Sequence, residues 1–333
     1  MQQVFLNTVK FIFALSGTFL LLELFVYNAG ISRKSEVTFL EQTGKSYSPN
    51  YNYTWFSEGY AIGSVNEGGY LGPFYKKEKQ ASIKRVALLG DSYVEGFQVF
   101  DRNHFRTILE KRLNANRKDS IEVLNFGRSN FNFPNMYAYQ ELVVKAYEPD
   151  LSIFFVSRED LTSLTTDVLL PNVSPETLKA VPFLNDETAG SFVKANRVLS
   201  NSSLVYMLNA ARRSIQNKGI VNAVFDGKFN SPTNDKNKVQ SIQPINVKLF
   251  EKLDKKKTLL VYREKTPLPK GLKQAILNSG MGWIDLSDFL SELEKSGQNP
   301  NAWFNQKYDG HWNVFGHRSV GNYLVLPVVS KLD

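Results

Sequence analysis

An α/β domain, a parallel sheet with helices on both faces, is the fold class that three observations predict. Short apolar runs at Lys84–Gly90, Ile121–Phe126, Leu151–Val156, Thr258–Tyr262 and Trp283–Leu286 punctuate the chain. They are continuous rather than alternating, the pattern of strands covered on both sides. Between them lie segments of helical spacing at Asp101–Asn114, Met136–Tyr147 and Lys270–Asn278, and a last one from about Val314. Crossovers of that kind are what join parallel strands.

The elements follow in order from an apolar start. FIFALSGTFLLLELFVY, Phe11 to Tyr27, is interrupted only by Ser16, Thr18 and Glu23, and it reaches 24 residues when extended back to Val4. About 20 apolar residues span a bilayer, so residues 1–30 are expected to form a single transmembrane anchor. Cleavage after Ala29 would put Tyr27 where a small residue is wanted, which favours an uncleaved signal-anchor over a removed signal peptide. Lys10 precedes the span while Arg33 and Lys34 follow it, so charge does not set the orientation. The short N-terminal tail favours an extracytoplasmic C-terminal domain, periplasmic or on the cell surface. Glu23 is costly in lipid and is expected either against a partner helix or near the interface.

Residues 31–80, rich in Tyr, Ser, Gly and Asn, read as a connecting segment packed on the main domain. Residues 81–333 form that domain, with an insertion at about 162–256 where the strand–helix alternation lapses. The net charge of +8 is concentrated there: Met207–Lys270 holds 14 Lys and Arg against 5 Asp and Glu, leaving 26 against 27 elsewhere. A solvated insertion, or one that meets an anionic polymer or lipid, fits this excess. No nucleic-acid-binding motif accompanies it, so nucleic acid is not an expected partner.

Zero cysteines exclude disulfides, thiolate metal sites and a cysteine nucleophile. Neither a metal-ligand cluster nor a phosphate-binding glycine loop is visible, so no cofactor is expected. What stands out is KRVALLGDSYVEGF, Lys84 to Phe97, which sets Ser92 at the mouth of the first sheet strand. Ligands of open parallel sheets bind at that edge. A serine hydroxyl attacks only if a base takes its proton, and the chain has three histidines, His104, His311 and His317. His311 lies in YDGHWNVFGH after the last strand, with Asp309 two residues earlier as the candidate that orients the imidazole. His104 and His317 open helices and read as structural. Asp91, Asn125 and Asp160 read as loop-ordering residues.

GDSY with its following glycine, and the C-terminal Asp and His, resemble the SGNH (GDSL-type) hydrolase family over roughly Lys84–Leu161 and Lys257–Leu332. The resemblance implies a flavodoxin-like sheet and esterase or acyl-transfer chemistry through an acyl-serine. It assigns Ser92 as nucleophile, His311 as general base and Asp309 as its orienter, with the Ser92 N–H as one oxyanion donor. Three departures accompany it. Asp309 and His311 are two apart where the family usually spaces them three, a form that resembles the branch acetylating alginate and related exopolysaccharides, whose members often continue with Trp. In NFGRSNFN the family's glycine falls at Asn130, whose N–H is the expected second donor. In FFVSREDL, Glu159 stands at the family's asparagine, where an ionised carboxylate would oppose an oxyanion. Glu159 is then expected protonated or turned away, with Asn130, Asn132 or Arg158 supplying the donor. Trp312 is expected to line the acyl pocket or to pack in the core.

These readings imply a membrane-anchored serine O-acyl (acetyl) esterase or O-acetyltransferase acting on an extracytoplasmic glycan. The partners implied are an acylated glycan or exopolysaccharide, the membrane, and a multi-pass membrane O-acyltransferase with Glu23 at the contact. The other reading is a non-catalytic glycan-binding or assembly subunit on the same fold.

Overall fold

The computed structural model describes residues 2–29, 31, 37–55, 58–115, 117, 119–163, 167–199, 202–205, 207–208, 241–303 and 309–333. The chain divides into two compact units, one of Met1–Glu36 with Phe192–Lys238, the other of Val37–Ser191 with Val239–Asp333. Arg33, Lys34 and residues 209–240 of the basic insertion lie outside the described residues.

In the first unit the apolar run forms one helix, α1 (Gln2–Asn28). It is long and apolar enough to cross a membrane by length and composition. Glu23, in its last two turns, is satisfied by this chain itself. Its carboxylate accepts from the Ser202 hydroxyl at 2.6 Å and from the N–H groups of Ser203 at 2.6 Å and Leu204 at 2.9 Å. Three donors offset much of the cost of burying a carboxylate away from water. All three donors to Glu23 come from the same unit.

The second unit opens with two short antiparallel hairpins that the weak periodicity of residues 31–80 did not reveal. They are β1 (Val37–Leu40) with β2 (Gly44–Tyr47), and β3 (Asn52–Trp55) with β4 (Ala61–Ser64). Next come β5 (Ile83–Gly90), α2 (Ser92–Glu95), α3 (Phe105–Leu113), β6 (Ser120–Gly127), α4 (Phe133–Leu142), β7 (Leu151–Val156) and α5 (Arg158–Thr162). The minor pair β8 (Asn172–Val173) and β9 (Ala180–Val181) precedes α6 (Asp186–Leu199), which leads into the first unit. The alternation then resumes with α7 (Pro244–Lys252), β10 (Thr258–Tyr262), α8 (Lys270–Asn278), β11 (Gly282–Asp285), α9 (Ser287–Lys295), α10 (Val314–Tyr323) and α11 (Val325–Leu332).

Five strands form one parallel sheet in the order β11-β10-β7-β5-β6. Counted along the chain this is 2-1-3-4-5 read from the β6 edge, the flavodoxin-like order, and its direction reverses at β5. Side chains alternate between two cores. Leu89, Phe126, Phe154 and Leu260 face α4, α7 and α8, while Leu88, Val123, Phe155 and Val261 face α3, α9, α10 and α11. Both sets are buried, which is why the sheet strands read as unbroken apolar runs.

Local chemistry shifts several expected boundaries. The segment expected as one helix from Asp101 is a 3₁₀ turn followed by α3, because His104 accepts the Arg106 N–H at 3.1 Å and caps the new helix. The helix expected from Met136 starts at Phe133, where Asn132 and Asn135 form a reciprocal capping box. His317 accepts the Phe105 N–H at 3.3 Å. Burial holds His104 down to about 3 and His317 well below the ordinary histidine value, so both are neutral core residues.

Candidate active site

Strand register gathers the site. Gly90 and Gly127 are partners at the ends of β5 and β6, while Val156 and Tyr262 are partners at the ends of β7 and β10. The residues that follow each strand, Ser92, Asn130, Arg158 with Glu159, and Arg263, therefore emerge along one carboxyl edge. Ser92 lies beyond β5, where the strand order reverses and ligands of such sheets bind.

Asp91 caps α2 by accepting the Tyr93 N–H at 3.0 Å, which fixes the turn that presents Ser92. The Ser92 hydroxyl lies 2.7 Å from His311 Nε2, so the pair expected from the two ends of the domain does meet. The acid behind the histidine is another matter. His311 Nδ1 lies 2.6 Å from Glu58 Oε2. A carboxylate only accepts, which places the proton on Nδ1 and leaves Nε2 to accept from Ser92.

Asp309 does not orient His311. Its carboxylate pairs with Lys265 and accepts the Asn299 side-chain N–H at 2.7 Å. The two-residue spacing leaves room for only Gly310 between Asp309 and His311, and the vacant side-chain volume at Gly310 is where Glu58 enters. A Cβ on Gly310 would lie 2.6 Å from Glu58 Oε1. Glu58 itself sits in the bend of the β3–β4 hairpin beside Gly59, whose φ of +64° suits glycine and whose bare Cα packs under the Trp303 ring. Trp303 in turn donates its indole N–H to the His311 carbonyl at 2.9 Å. The hairpin is docked by aromatic contacts to Phe97, five residues after Ser92. Tyr53 meets it edge-on at 4.5 Å and Trp55 stacks on it at 5.8 Å.

Two further residues that sequence reasoning missed bear on the nucleophile turn. Arg263, buried directly after β10, pairs with Asp91 and lies 4.0 Å over the Tyr93 ring, so it holds both chain neighbours of Ser92. Tyr93 lies against the His311 ring at 4.7 Å and donates its hydroxyl to the Gly310 carbonyl at 3.1 Å. Asp160 caps α5 reciprocally with Ser157. Burial first, then the nearby Asp91 charge, push its carboxyl up to about 7.

The remaining expected residues divide. Asn130 adopts φ +68°, the left-handed conformation that asparagine tolerates best after glycine. The Phe131 N–H to Arg128 carbonyl bond at 3.1 Å closes the turn that carries it. The Asn132 side-chain oxygen and backbone N–H are engaged in the α4 capping box. Glu159 is exposed on α5 and Arg158 is half-buried beside it, so the carboxylate expected to oppose the oxyanion points into water. Trp312 is 0% exposed, packed edge-on against Phe105 and Tyr93. It therefore belongs to the core and lines no acyl pocket.

The fold and site together define a flavodoxin-like α/β protein with a Ser–His–Glu hydrogen-bonded chain at the carboxyl edge of its sheet. No family model matches the chain, and no curated protein does. Among solved structures, the chain is similar to a lipase/acylhydrolase from Enterococcus faecalis at 11% identity, covering 75% of this chain and 97% of that one with a TM-score of 0.42. It is also similar to a lipolytic protein of the G-D-S-L family from Desulfitobacterium hafniense, at 15% identity over 73% and 98% of the chains with a TM-score of 0.31. A family 3 carbohydrate esterase from Clostridium thermocellum matches at 11% identity over 75% and 97%, with a TM-score of 0.35. Likenesses this distant leave the chemistry to Ser92, His311 and Glu58.

Proposed function

We propose that the protein is a membrane-anchored serine O-acyl esterase or O-acyltransferase of the SGNH type, acting through an acyl-Ser92 intermediate. The observation that carries this reading is the chain Ser92 Oγ to His311 Nε2 at 2.7 Å and His311 Nδ1 to Glu58 at 2.6 Å. Ser92 Oγ attacks the ester carbonyl as His311 Nε2 takes its proton, and Glu58 stabilises the imidazolium. The N–H groups of Ser92 and Asn130 receive the oxyanion. His311 returns the proton to the leaving alkoxide, and a second hydroxyl, from water or a sugar, takes the acyl group by the reverse sequence.

Acetyl is the acyl group proposed, and an extracytoplasmic glycan the substrate, on the likeness of the Asp-x-His-Trp block to exopolysaccharide O-acetyltransferases. The α1 helix supplies the anchor, and a multi-pass membrane O-acyltransferase is the proposed acyl donor. Residues 1–30 as anchor, and 81–333 as a catalytic domain completed by the 31–80 segment that brings Glu58 to His311, make up the proposed organisation.

The test is turnover of p-nitrophenyl acetate by the full chain in detergent, beside Ser92→Ala and His311→Ala. Activity lost in both variants supports the acyl-serine. A folded wild type no faster than Ser92→Ala rejects it and favours a non-catalytic glycan-binding or assembly subunit. Addition of an acetylatable oligosaccharide then separates transfer from hydrolysis.

A further inference from the structure

One buried acid near the site has no part in the Ser–His–Glu chain. Glu95 closes α2, the helix that Ser92 opens, and is 1% exposed. A carboxyl group at such a position carries a desolvation cost that an apolar residue would avoid. Burial pushes it up, against the lowering effect of its bonds to Ser129 and Tyr47.

Both carboxyl oxygens are engaged on one side. Oε1 accepts the Tyr47 hydroxyl at 2.5 Å, and Oε2 accepts the Ser129 hydroxyl. Glu95 also lines a cavity of about 200 Å³ with Tyr53, His104 and Asn125, yet its hydrogen bonds go to the turn after β6 and to the β2 hairpin. That turn carries Asn130 directly after Ser129.

The Phe131 N–H to Arg128 carbonyl bond closes the same turn on itself, and other contacts bring it to α2. Gly127 has no Cβ, which lets the end of β6 pack on the Val94–Glu95 backbone. The Asn125 side chain donates to the Glu95 carbonyl at 3.2 Å, and the Arg128 N–H donates to the Gly90 carbonyl at 3.0 Å. The Arg128 side chain is held by the Gly69 carbonyl and by the Tyr139 hydroxyl at 3.1 Å. Those of these contacts that tie the turn to its surroundings act at or before Arg128. Ser129 is the last residue before Asn130, and Glu95 holds it by both its hydroxyl and its backbone N–H.

We propose that Glu95 is the positioning residue of the oxyanion turn, tying Ser129 to the nucleophile helix and so aiming the Asn130 N–H at the carbonyl on Ser92. The role rests on the acyl-serine reading above. It also explains how asparagine serves where the family carries glycine: the left-handed conformation is locked from the neighbouring residue.

The experiment measures kcat and KM for p-nitrophenyl acetate, with unfolding midpoints, for full-length Glu95→Ala, Glu95→Gln, Ser129→Ala and the Glu95→Ala/Ser129→Ala double variant. A misplaced donor costs on the order of 10²-fold in rate. Glu95→Ala is expected to lose about that much in kcat with KM nearly unchanged, and Ser129→Ala, which keeps the backbone N–H bond to Glu95, to lose less. The double variant is expected to lose no more than Glu95→Ala, since that change alone removes both bonds to Ser129. Glu95→Gln is expected to keep most of kcat, because its amide accepts from Tyr47 and donates to the Ser129 oxygen. Wild-type kcat in folded Glu95→Ala, or in the folded double variant should the single one not fold, overturns the proposal. So does a Glu95→Gln variant as impaired as Glu95→Ala, which would assign the charge rather than the link. Absence of Ser92-dependent turnover in the wild type is a different result, and it rejects the acyl-serine reading and this role together.

Discussion

Glu58 and His311 are 253 residues apart in the chain and 2.6 Å apart in the fold, and the carboxylate that meets the imidazole comes from a hairpin rather than from the motif that holds the histidine. Glu58→Gln keeps the volume but can present an N–H to Nδ1 and select the wrong tautomer. The corresponding change in a Ser–His–Asp triad costs about 10⁴ in kcat, and a loss of that order is expected here. Asp309→Asn is expected to leave kcat near the wild-type value, because Asp309 faces Lys265 and Asn299. Steady-state kinetics of the two variants side by side check the assignment, and the opposite ranking would return the acid role to Asp309.

Arg263 predicts a stability effect. Replacing it by Met leaves the Asp91 carboxylate buried without its cation, and breaking a buried pair from one side costs about 3–5 kcal/mol. Adding Asp91→Asn, which keeps the helix cap, is expected to recover most of that loss. Denaturant midpoints of the single and double variants decide the point; no recovery would mean that Arg263 acts through Tyr93 instead.

Asp160 predicts a pH dependence. Its native carboxyl is raised to about 7, whereas an unfolded aspartate titrates near 3.9. The native state therefore holds a proton that the unfolded state has lost. Its contribution to stability is full below about pH 4 and declines as pH rises to about 7, at up to about 1.4 kcal/mol per pH unit. Asp160→Asn, neutral and nearly isosteric, is expected to remove that slope. Unfolding free energies of both proteins across pH 4–7 measure it as a difference; parallel curves would show that Asp160 is ionised in the native protein.

Trp312 predicts a separation of stability from selectivity. Trp312→Ala removes a fully buried ring and is expected to destabilise the domain by about 3–5 kcal/mol. The ranking of acetyl, propionyl and butyryl p-nitrophenyl esters is expected to stay the same. A changed ranking in a folded variant would place Trp312 in the acyl pocket after all.

Much of this arrangement was legible in the sequence because it depends on local pattern. Four of the five sheet strands are mostly buried on both faces and so read as apolar runs, the edge strand β11 is half-buried, and Ser92 and His311 stand at punctuated strand and helix ends. The hairpins at residues 37–64 were not legible, since four-residue strands carry too little periodicity to separate from loop. Glu58 was hidden for the same reason: its role follows from the docking of Tyr53 and Trp55 on Phe97, a tertiary event. One signal did point toward it. The shortened Asp309–His311 spacing was a departure from the resembled motif, and the structure shows that another acid fills the place left open. Arg263 was equally silent, because a single arginine after a strand has no pattern until Asp91 and Tyr93 are beside it. Trp312 was legible only as an alternative, and its complete burial decides for the core.

The central claim is that Ser92 carries the acyl group. Acid-quenched p-nitrophenyl acetate reactions of the full chain, digested and examined by mass spectrometry, test it most directly. The account predicts an acetylated Ser92 peptide in the wild type, strongly slowed formation of that adduct in Glu58→Gln, and near-normal formation in Asp309→Asn. An unmodified Ser92 in a turning-over wild type, or acetylation at another residue, would contradict it.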